Sequence, residues 1–243
     1  MAMNRASFAK MLEPGLNTLF GLEYDQYPAE YAAVFASNTS QKAFEEDVLL
    51  SGFGSAPTKS EGSAISYDDA GQQWTARYQH ETVALAFSIT EEAEEDGQYG
   101  SIASRYTKAL ARSMASTKEI KAANVLNNAT SVNIGDGTTL LSTSHPTQNG
   151  NQSNTLATAA DLSEVSLEAI LIQIADMKDD RGLRIAAQGM QLVIPTAYTF
   201  VAERLLESQL RTGTADNDIN AIKSGGYLPK GYHVMRRLTD ADG

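Results

Sequence analysis

The sequence predicts an α+β subunit assembled around one long helix, and three patterns in its 243 residues carry that prediction. Apolar and small residues recur every three or four positions from Gln98 to Asn128. A strict two-fold alternation runs through residues 74–79 and 83–89. From residue 161 onward, helical and extended patterns alternate. The first is the signature of a helix, the second of a β-hairpin and the third of a compact α/β unit.

The helix comes first because it is unusually long. Ile102, Tyr106, Ala109/Leu110, Met114, Thr117, Ile120, Ala123 and Leu126 form one stripe at 3.6-residue spacing. At 1.5 Å per residue the segment 98–128 would run about 45 Å, a spine across a whole domain. Arg105, Lys108, Arg112, Lys118, Glu119 and Lys121 fall on the opposite, charged face.

Preceding the spine, residues 1–43 read as an arm with a short helical patch. A turn at Pro14-Gly15 is followed by Tyr24, Tyr27, Tyr31 and Phe35, aromatics that the segment cannot bury by itself. Val48 to Phe53 is a short apolar strand, and Gly52, Gly54, Ser55, Pro57, Ser60, Gly62 and Ser63 make a long turn-rich tip. On the return, Trp74, Ala76 and Tyr78 alternate with Thr75, Arg77 and Gln79. Val83, Leu85, Phe87 and Ile89 then alternate with Ala84, Ala86 and Ser88. Such a two-stranded ribbon is marginal alone in water and calls for a partner surface. Thr90 suits a helix N-cap, and Glu91, Glu92, Glu94, Glu95 and Asp96 suit the positive end of a helix.

After the spine, the stretch to Asn154 is rich in Gly, Asn, Thr and Ser. It has a tight turn at Gly135-Asp136-Gly137 and reads as a crossing between subdomains. Asp161 to Asp180 is predicted as a second helix, with a capping box of Asp161 and Glu164 and a stop at Gly182. Leu167, Ile170, Leu171, Ile174 and Met177 would be its buried stripe. Met190 to Ile194 is predicted as a buried strand. Pro195 would open a helix to about Gln209, with Tyr198, Val201, Ala202, Leu205 and Leu206 inward. Arg211 to Gly226 reads as a polar loop and Tyr232 to Leu238 as a strand.

Composition narrows the function. Thirty acidic against 19 basic residues give a formal charge of −11, which argues against a tight non-specific grip on nucleic acid. Cysteine is absent, which removes disulfides, thiolate metal sites and cysteine nucleophiles. No apolar run approaches the ~18 residues of a membrane span, and Met1 to Lys10 lacks a secretory apolar segment. A cytoplasmic origin is therefore expected, and the glycosylation-like triplets at Asn38, Asn128 and Asn151 are read as chance.

Catalytic motifs are lacking. In Gly52 to Ser60, aligned as a phosphate loop on Lys59-Ser60, the required glycines fall on Phe53 and Thr58. His80, His145 and His233 form no metal-spaced pair and are read as structural. Asp179-Asp180, and Asp216 with Asp218, are read as solvated carboxylates at a helix end and in a loop. The expectation is no enzyme, no catalytic residue, no cofactor and no metal. An arm, a protruding hairpin and a spine without chemistry point to a self-assembling structural subunit.

The order of these parts resembles the major capsid proteins of tailed phages, the Hong Kong 97 fold, and in particular the Mu-like major head subunit branch. The residues that carry the resemblance begin with Phe87-Ser-Ile-Thr-Glu-Glu-Ala-Glu-Glu-Asp96, then Lys118-Glu119 ahead of Asn127-Asn128. They continue with Gly135-Asp-Gly137, Leu140-Leu141, His145-Pro146, Leu192-Val-Ile-Pro195, Asn217-Asp-Ile-Asn220 and Leu238-Thr-Asp240. They span most of the chain from about residue 44 onward.

The resemblance implies an N-terminal arm at 1–43, an extended loop at 44–90 lying over a neighbouring subunit, and a peripheral domain at 91–153. It further implies an axial domain at 154–237 around which five or six subunits meet, with 238–243 starting the return to the peripheral domain. The function implied is a structural major head protein that self-assembles into hexamers and pentamers of an icosahedral shell around double-stranded DNA. Partners would be further copies of itself, then a scaffold, a portal, a maturation protease and a decoration protein. DNA would be enclosed without sequence-specific binding, and no membrane would be involved. The setting would be the virion, assembled in the host bacterial cytoplasm. Phe53, Lys59, Trp74, Arg77 and Tyr78 would be intersubunit contacts on the loop. Arg105 and Arg112 would be contacts on the spine, against a neighbour's acidic arm or loop. Some family members carry a lysine–asparagine cross-link, and Lys59 sits at the loop tip, but no motif here transfers the bond. Two other readings stay open: an encapsulin-type compartment shell, and a small cytoplasmic hydrolase using the acidic pairs with the hairpin as a lid.

Overall fold

The computed structural model describes residues 16–88, 99–211 and 218–239. The expected Pro14-Gly15 turn, the Thr90 cap with its acidic residues, and Asp216, Asn217 and Asp240 lie outside them. The chain divides into two units, one of residues 1–37 and 81–124, the other of 38–80 and 125–243.

In the first unit, residues 16–25 form helix α1, in which Phe20 and Tyr24, one turn apart, stack at 5.9 Å between ring centroids. A 3-10 turn follows at Glu30–Ala33. The spine is helix α2, Tyr99–Asn127, its 29 residues close to the expected 98–128. Proline is absent from it, and alanine and long straight side chains, strong helix formers, recur along its length.

Its buried face matches the expected one only in part, at Ala123. Ala103, Thr107, Ala111, Glu119 and Ala123 are buried, at multiples of four residues, whereas Tyr106 and Ile120 of the expected stripe are exposed. Small side chains let a neighbouring backbone approach closely, so the close-packed line follows residue size rather than hydrophobicity. Glu119, expected on the charged face, is only 7% exposed. It is tolerated there because its Oε2 accepts a hydrogen bond from the Tyr31 amide (3.2 Å) at the start of the 3-10 turn. Residues 83–88, expected as a strand, pair with no other strand; Phe87 instead packs against Tyr106 at 5.7 Å.

Among the described residues, the second unit holds three two-stranded sheets. Strands β1 (Phe44–Leu50) and β2 (Gln72–Gln79) form the expected antiparallel hairpin, with β1 starting earlier than predicted and ending before Phe53. Within the expected crossing, β3 (His145–Thr147) and β4 (Gly150–Gln152) make a small hairpin. The second helix, α3, spans only Glu164–Ala175 and is capped by Ser163 with Ser166 in place of Asp161 with Glu164. Ser163 accepts from the Ser166 amide and Ser166 accepts from the Ser163 amide, a reciprocal pair that fixes the start two residues later. Asp179 and Asp180 therefore lie beyond the helix, in a tight turn where Asp179 Oδ1 accepts from the amides of Arg181 (3.0 Å) and Leu183 (2.7 Å). Gly182, expected as a helix stop, provides the positive φ (+89°) of that turn.

Strand β5 (Leu192–Ile194) pairs in parallel with β6 (Tyr232–Val234), which ends four residues before the expected Leu238. Parallel neighbours require a crossover. Here it is a 3-10 turn at Thr196–Tyr198, helix α4 (Thr199–Glu207) and the short helix α5 (Ala221–Gly225), which lies within the stretch expected to be loop. Leu167, Leu206 and Ile222 are the centre of this core, packed by Leu171, Leu192 and Tyr232. Asn220 locks it. Only 4% exposed, its Oδ1 accepts from the Ile222 and Lys223 amides, and its Nδ2 donates to the Leu205 (2.7 Å) and Ser208 (3.2 Å) carbonyls. The last turn of the spine holds the chain after β6 in the same way: Asn127 donates to the Arg237 carbonyl and accepts from the Thr239 amide.

Candidate assembly surfaces

The β1–β2 register explains what the hairpin shows to solvent. Glu46 faces Arg77 and Val48 faces Thr75 on one side; Glu45 and Asp47 face Tyr78 and Ala76 on the other. Trp74 shares the side of Ala76 and lies on Gly135, at which an added Cβ would come within 2.5 Å of the indole and 2.9 Å of the Ala76 methyl. That side is therefore turned to the 133–139 turn. The opposite side leaves Phe44 and Val48 exposed, bordered by the Arg77–Glu46 ion pair (2.5 Å) and by the Arg77 guanidinium over the Phe44 ring (4.4 Å).

Residues 51–71 project from this ribbon. Their base is closed where the Ser51 amide donates to the Gly71 carbonyl (2.8 Å) and the Gly71 amide donates back to Ser51 Oγ (3.0 Å). A second clasp is Asp68, which accepts from the Gly54 amide (2.7 Å) and pairs with Arg181, itself bound to Gln148. Leu50 (72% exposed) at the end of β1, Phe53 between the clasps, and Ile65 and Tyr67 (92%) beyond them stand in solvent. Lys59 is exposed with no ion partner among the described residues.

The Gly54 amide and the Arg181 guanidinium hold the Asp68 carboxyl below the usual carboxylate range. For a carboxyl lowered in the folded state, the clasp is at full strength above the ordinary carboxylate value of about 3.9 and is lost as pH falls through the lower folded value. Protection of the Gly54 amide from hydrogen exchange should therefore hold from neutral pH down to about 4 and disappear in stronger acid. The Asp68→Asn variant should lack the carboxylate-dependent step.

On the first unit, α1 and the spine enclose a groove of about 610 Å³ lined by Glu23, Tyr27, Lys108, Arg112 and Ile120. Lys108 pairs with Glu23 at 2.6 Å, Lys121 pairs with Glu81, and the Lys118 ammonium lies 4.8 Å from the Tyr31 ring centre. Glu23, Tyr31 and Glu81 thus take part of the basic stripe. Arg105 and Arg112 have no ion partner among the described residues.

Of the seven contact residues expected from sequence, the structure places Phe53, Lys59 and Tyr78 in solvent, Arg77 in a cross-strand pair and Trp74 against Gly135. Sequence reasoning missed Asp68 with Arg181, which are far apart in the chain, and Asp136 with His145. The latter pair, Asp136 Oδ2 to His145 Nδ1 at 2.6 Å, is joined by Thr138. The run Asp136-Gly-Thr138 was a local signal for it, since Asp136 accepts from the Thr138 amide two residues on (2.9 Å). Among the described residues no group of three or more His, Cys, Asp or Glu is placed to hold a metal ion, and no helix is long and apolar enough to cross a membrane.

This mixed helix-and-strand fold, with its solvent-exposed apolar loop, is similar to that of capsid shell proteins. The capsid protein of bacteriophage JBD30 aligns with a TM-score of 0.67 at 14% identity, over 88% of this chain and 92% of that one. The JBD30 procapsid aligns with a TM-score of 0.60 at 16% identity, over 96% and 99%. A JBD30 capsid decorated with minor capsid protein trimers aligns with a TM-score of 0.66 at 14% identity, over 88% and 92%. The family model for phage capsid protein matches residues 72–241, and the chain belongs to that family. No curated protein matches it significantly. It is a structural protein of a phage head.

Proposed function

We propose that this capsid protein is the major head subunit of a tailed phage, folded in the Hong Kong 97 manner, whose copies form the hexamers and pentamers of an icosahedral shell around double-stranded DNA. The observation that carries this reading is the apolar surface of the loop, where Leu50, Phe53, Ile65 and Tyr67 are exposed on a two-stranded ribbon. Apolar area of that kind is stabilised by burial at about 25 cal/mol per Å², and one copy of the chain leaves it in water. Each loop laid over a neighbour repeats one small interface around a closed shell, so modest contacts add cooperatively.

In this reading residues 1–43 are the arm, 44–90 the extended loop, 91–153 the peripheral domain and 154–237 the axial domain. Residues 238–243 begin the return to the peripheral domain. The formal charge of −11 suits a container that must not adhere to its DNA. A scaffold, a portal, a maturation protease and a decoration protein would act on the shell as it forms in a bacterial cytoplasm.

Negative-stain microscopy of the purified chain is expected to show rings, sheets or shells. Monomers alone across a range of salt and pH would overturn the proposal. Reversing Arg105 and Arg112 to Glu is expected to reduce particle yield while leaving the melting temperature of the subunit within a few degrees, as surface substitutions usually do. Normal particles from that variant would return both arginines to plain solvent exposure.

A further inference from the structure

Two buried side-chain polar atoms lack a hydrogen-bond partner among the described residues, His145 Nε2 and Asp180 Oδ2. The two residues that carry them, His145 and Asp180, line one cleft of about 450 Å³ in the second unit. Buried polar groups are almost always satisfied, so two orphans in one cavity mark a place where something with complementary hydrogens belongs.

The chemistry of the cleft is set by its neighbours. Burial raises the Asp136 carboxyl, but the hydrogen bonds from His145 and Thr138 outweigh it and hold the group below the usual carboxylate range. Asp136 Oδ2 lies 2.6 Å from His145 Nδ1, and the tautomer that donates from Nδ1 to this carboxylate leaves Nε2 as an acceptor. Asp180 adds an anionic acceptor. Its Oδ1 already accepts from the Gln148 amide (3.0 Å), which leaves Oδ2 alone. The nearby cations are engaged elsewhere, Arg181 with Asp68 and Arg184 with Asp176 (2.7 Å). The remaining walls are apolar, with Leu50, Trp74, Ile134 and Ile185 among them.

We propose that this cleft receives the ammonium group of a lysine side chain from a neighbouring copy of the chain. Two separate acceptors and a negative charge fit a cationic donor, and apolar walls fit the methylene stem behind it. The Trp74 ring adds an attractive face for the charge. A guanidinium fits less well, because its fork binds both oxygens of a carboxylate and only one is open here. A metal ion would find only two protein ligands. That the lysine belongs to a second copy rests on the capsid reading; the preference of the cleft for an ammonium does not.

Trp74 is the single tryptophan and lines this cleft, so tryptophan emission comes from a residue of its wall. Titration of the full-length unassembled subunit with Nα-acetyl-lysine-N-methylamide should change that emission saturably, while the norleucine analogue, which lacks the ammonium, should not. Asp180→Asn keeps the acceptor for Gln148 and should weaken the response at least about tenfold, the scale of a hydrogen bond to a charged group. No response to the lysine probe, an equal response to norleucine, or an undiminished response in Asp180→Asn would overturn the ammonium site. So would saturation by zinc chloride without any response to the lysine probe. In assembled particles the probe should no longer act on Trp74, because a neighbour's lysine is already in place. A response equal to that of free subunits would overturn the second copy as its source. Failure to form particles would overturn the capsid reading and that source together, while the titration of free subunits still decides the cleft.

Discussion

Substituting Asn220 by Ala should destabilise the unit built on β5 and β6 by about 3 kcal/mol, measured as a shift in urea midpoint at unchanged slope. The side chain does two tasks at once. Its Oδ1 caps helix α5 by accepting from the Ile222 and Lys223 amides, and its Nδ2 satisfies the carbonyls at the end of α4. Loss of an N-cap alone costs about 1 kcal/mol, and each buried group left without a partner costs about 1–3 kcal/mol more. Because Ile222 is part of the core with Leu167 and Leu206, fraying of α5 opens that core as well. An unchanged midpoint in Asn220→Ala would mean that solvent replaces these bonds freely, which its burial forbids.

Gly135→Ala should be nearly as damaging, at about 1–3 kcal/mol, for an opposite reason: an atom too many. A methyl at this position would lie 2.5 Å and 2.6 Å from two carbons of the Trp74 ring and 2.9 Å from the Ala76 methyl. The indole is rigid and its strand is tied to β1, so the hairpin must shift away from the 133–139 turn. The shift should appear as a red-shifted Trp74 emission together with a lower melting temperature. Wild-type emission and melting in Gly135→Ala would show that the hairpin has no fixed seat on this turn. Since the same ring lines the cleft of His145 and Asp180, this variant should also blunt the response to the lysine probe.

Much of the chain was legible because local rules act on neighbouring residues. The spine was readable from its length and the near absence of helix breakers; the β2 alternation of Trp74, Ala76 and Tyr78 was readable from the two-fold period. Errors arose where a distant partner decided. Residues 83–88 carry the same alternation as β2, yet they pair with no strand among the described residues, and Phe87 packs on Tyr106 instead. The Asp161–Glu164 box was a good local match that lost to Ser163 and Ser166, whose reciprocal bonds satisfy the same helix end two residues later. Asn220 was visible as part of a family motif, but its four hydrogen bonds depend on where α4 ends in space.

The assembly surfaces divide along the same line. That the hairpin must leave an apolar face in search of cover followed from its sequence, since an alternating ribbon has two sides and the chain offers few residues to cover both. Which side stays exposed was decided at Gly135, where the missing side chain leaves room for the Trp74 ring. The charged face of the spine was likewise readable, but the burial of Glu119 and the pairing of Lys108 with Glu23 were not. Periodicity determines which side chains share a face. Only the tertiary structure decides what that face meets, because the contact depends on residue size and on hydrogen-bond partners that lie far away in the chain.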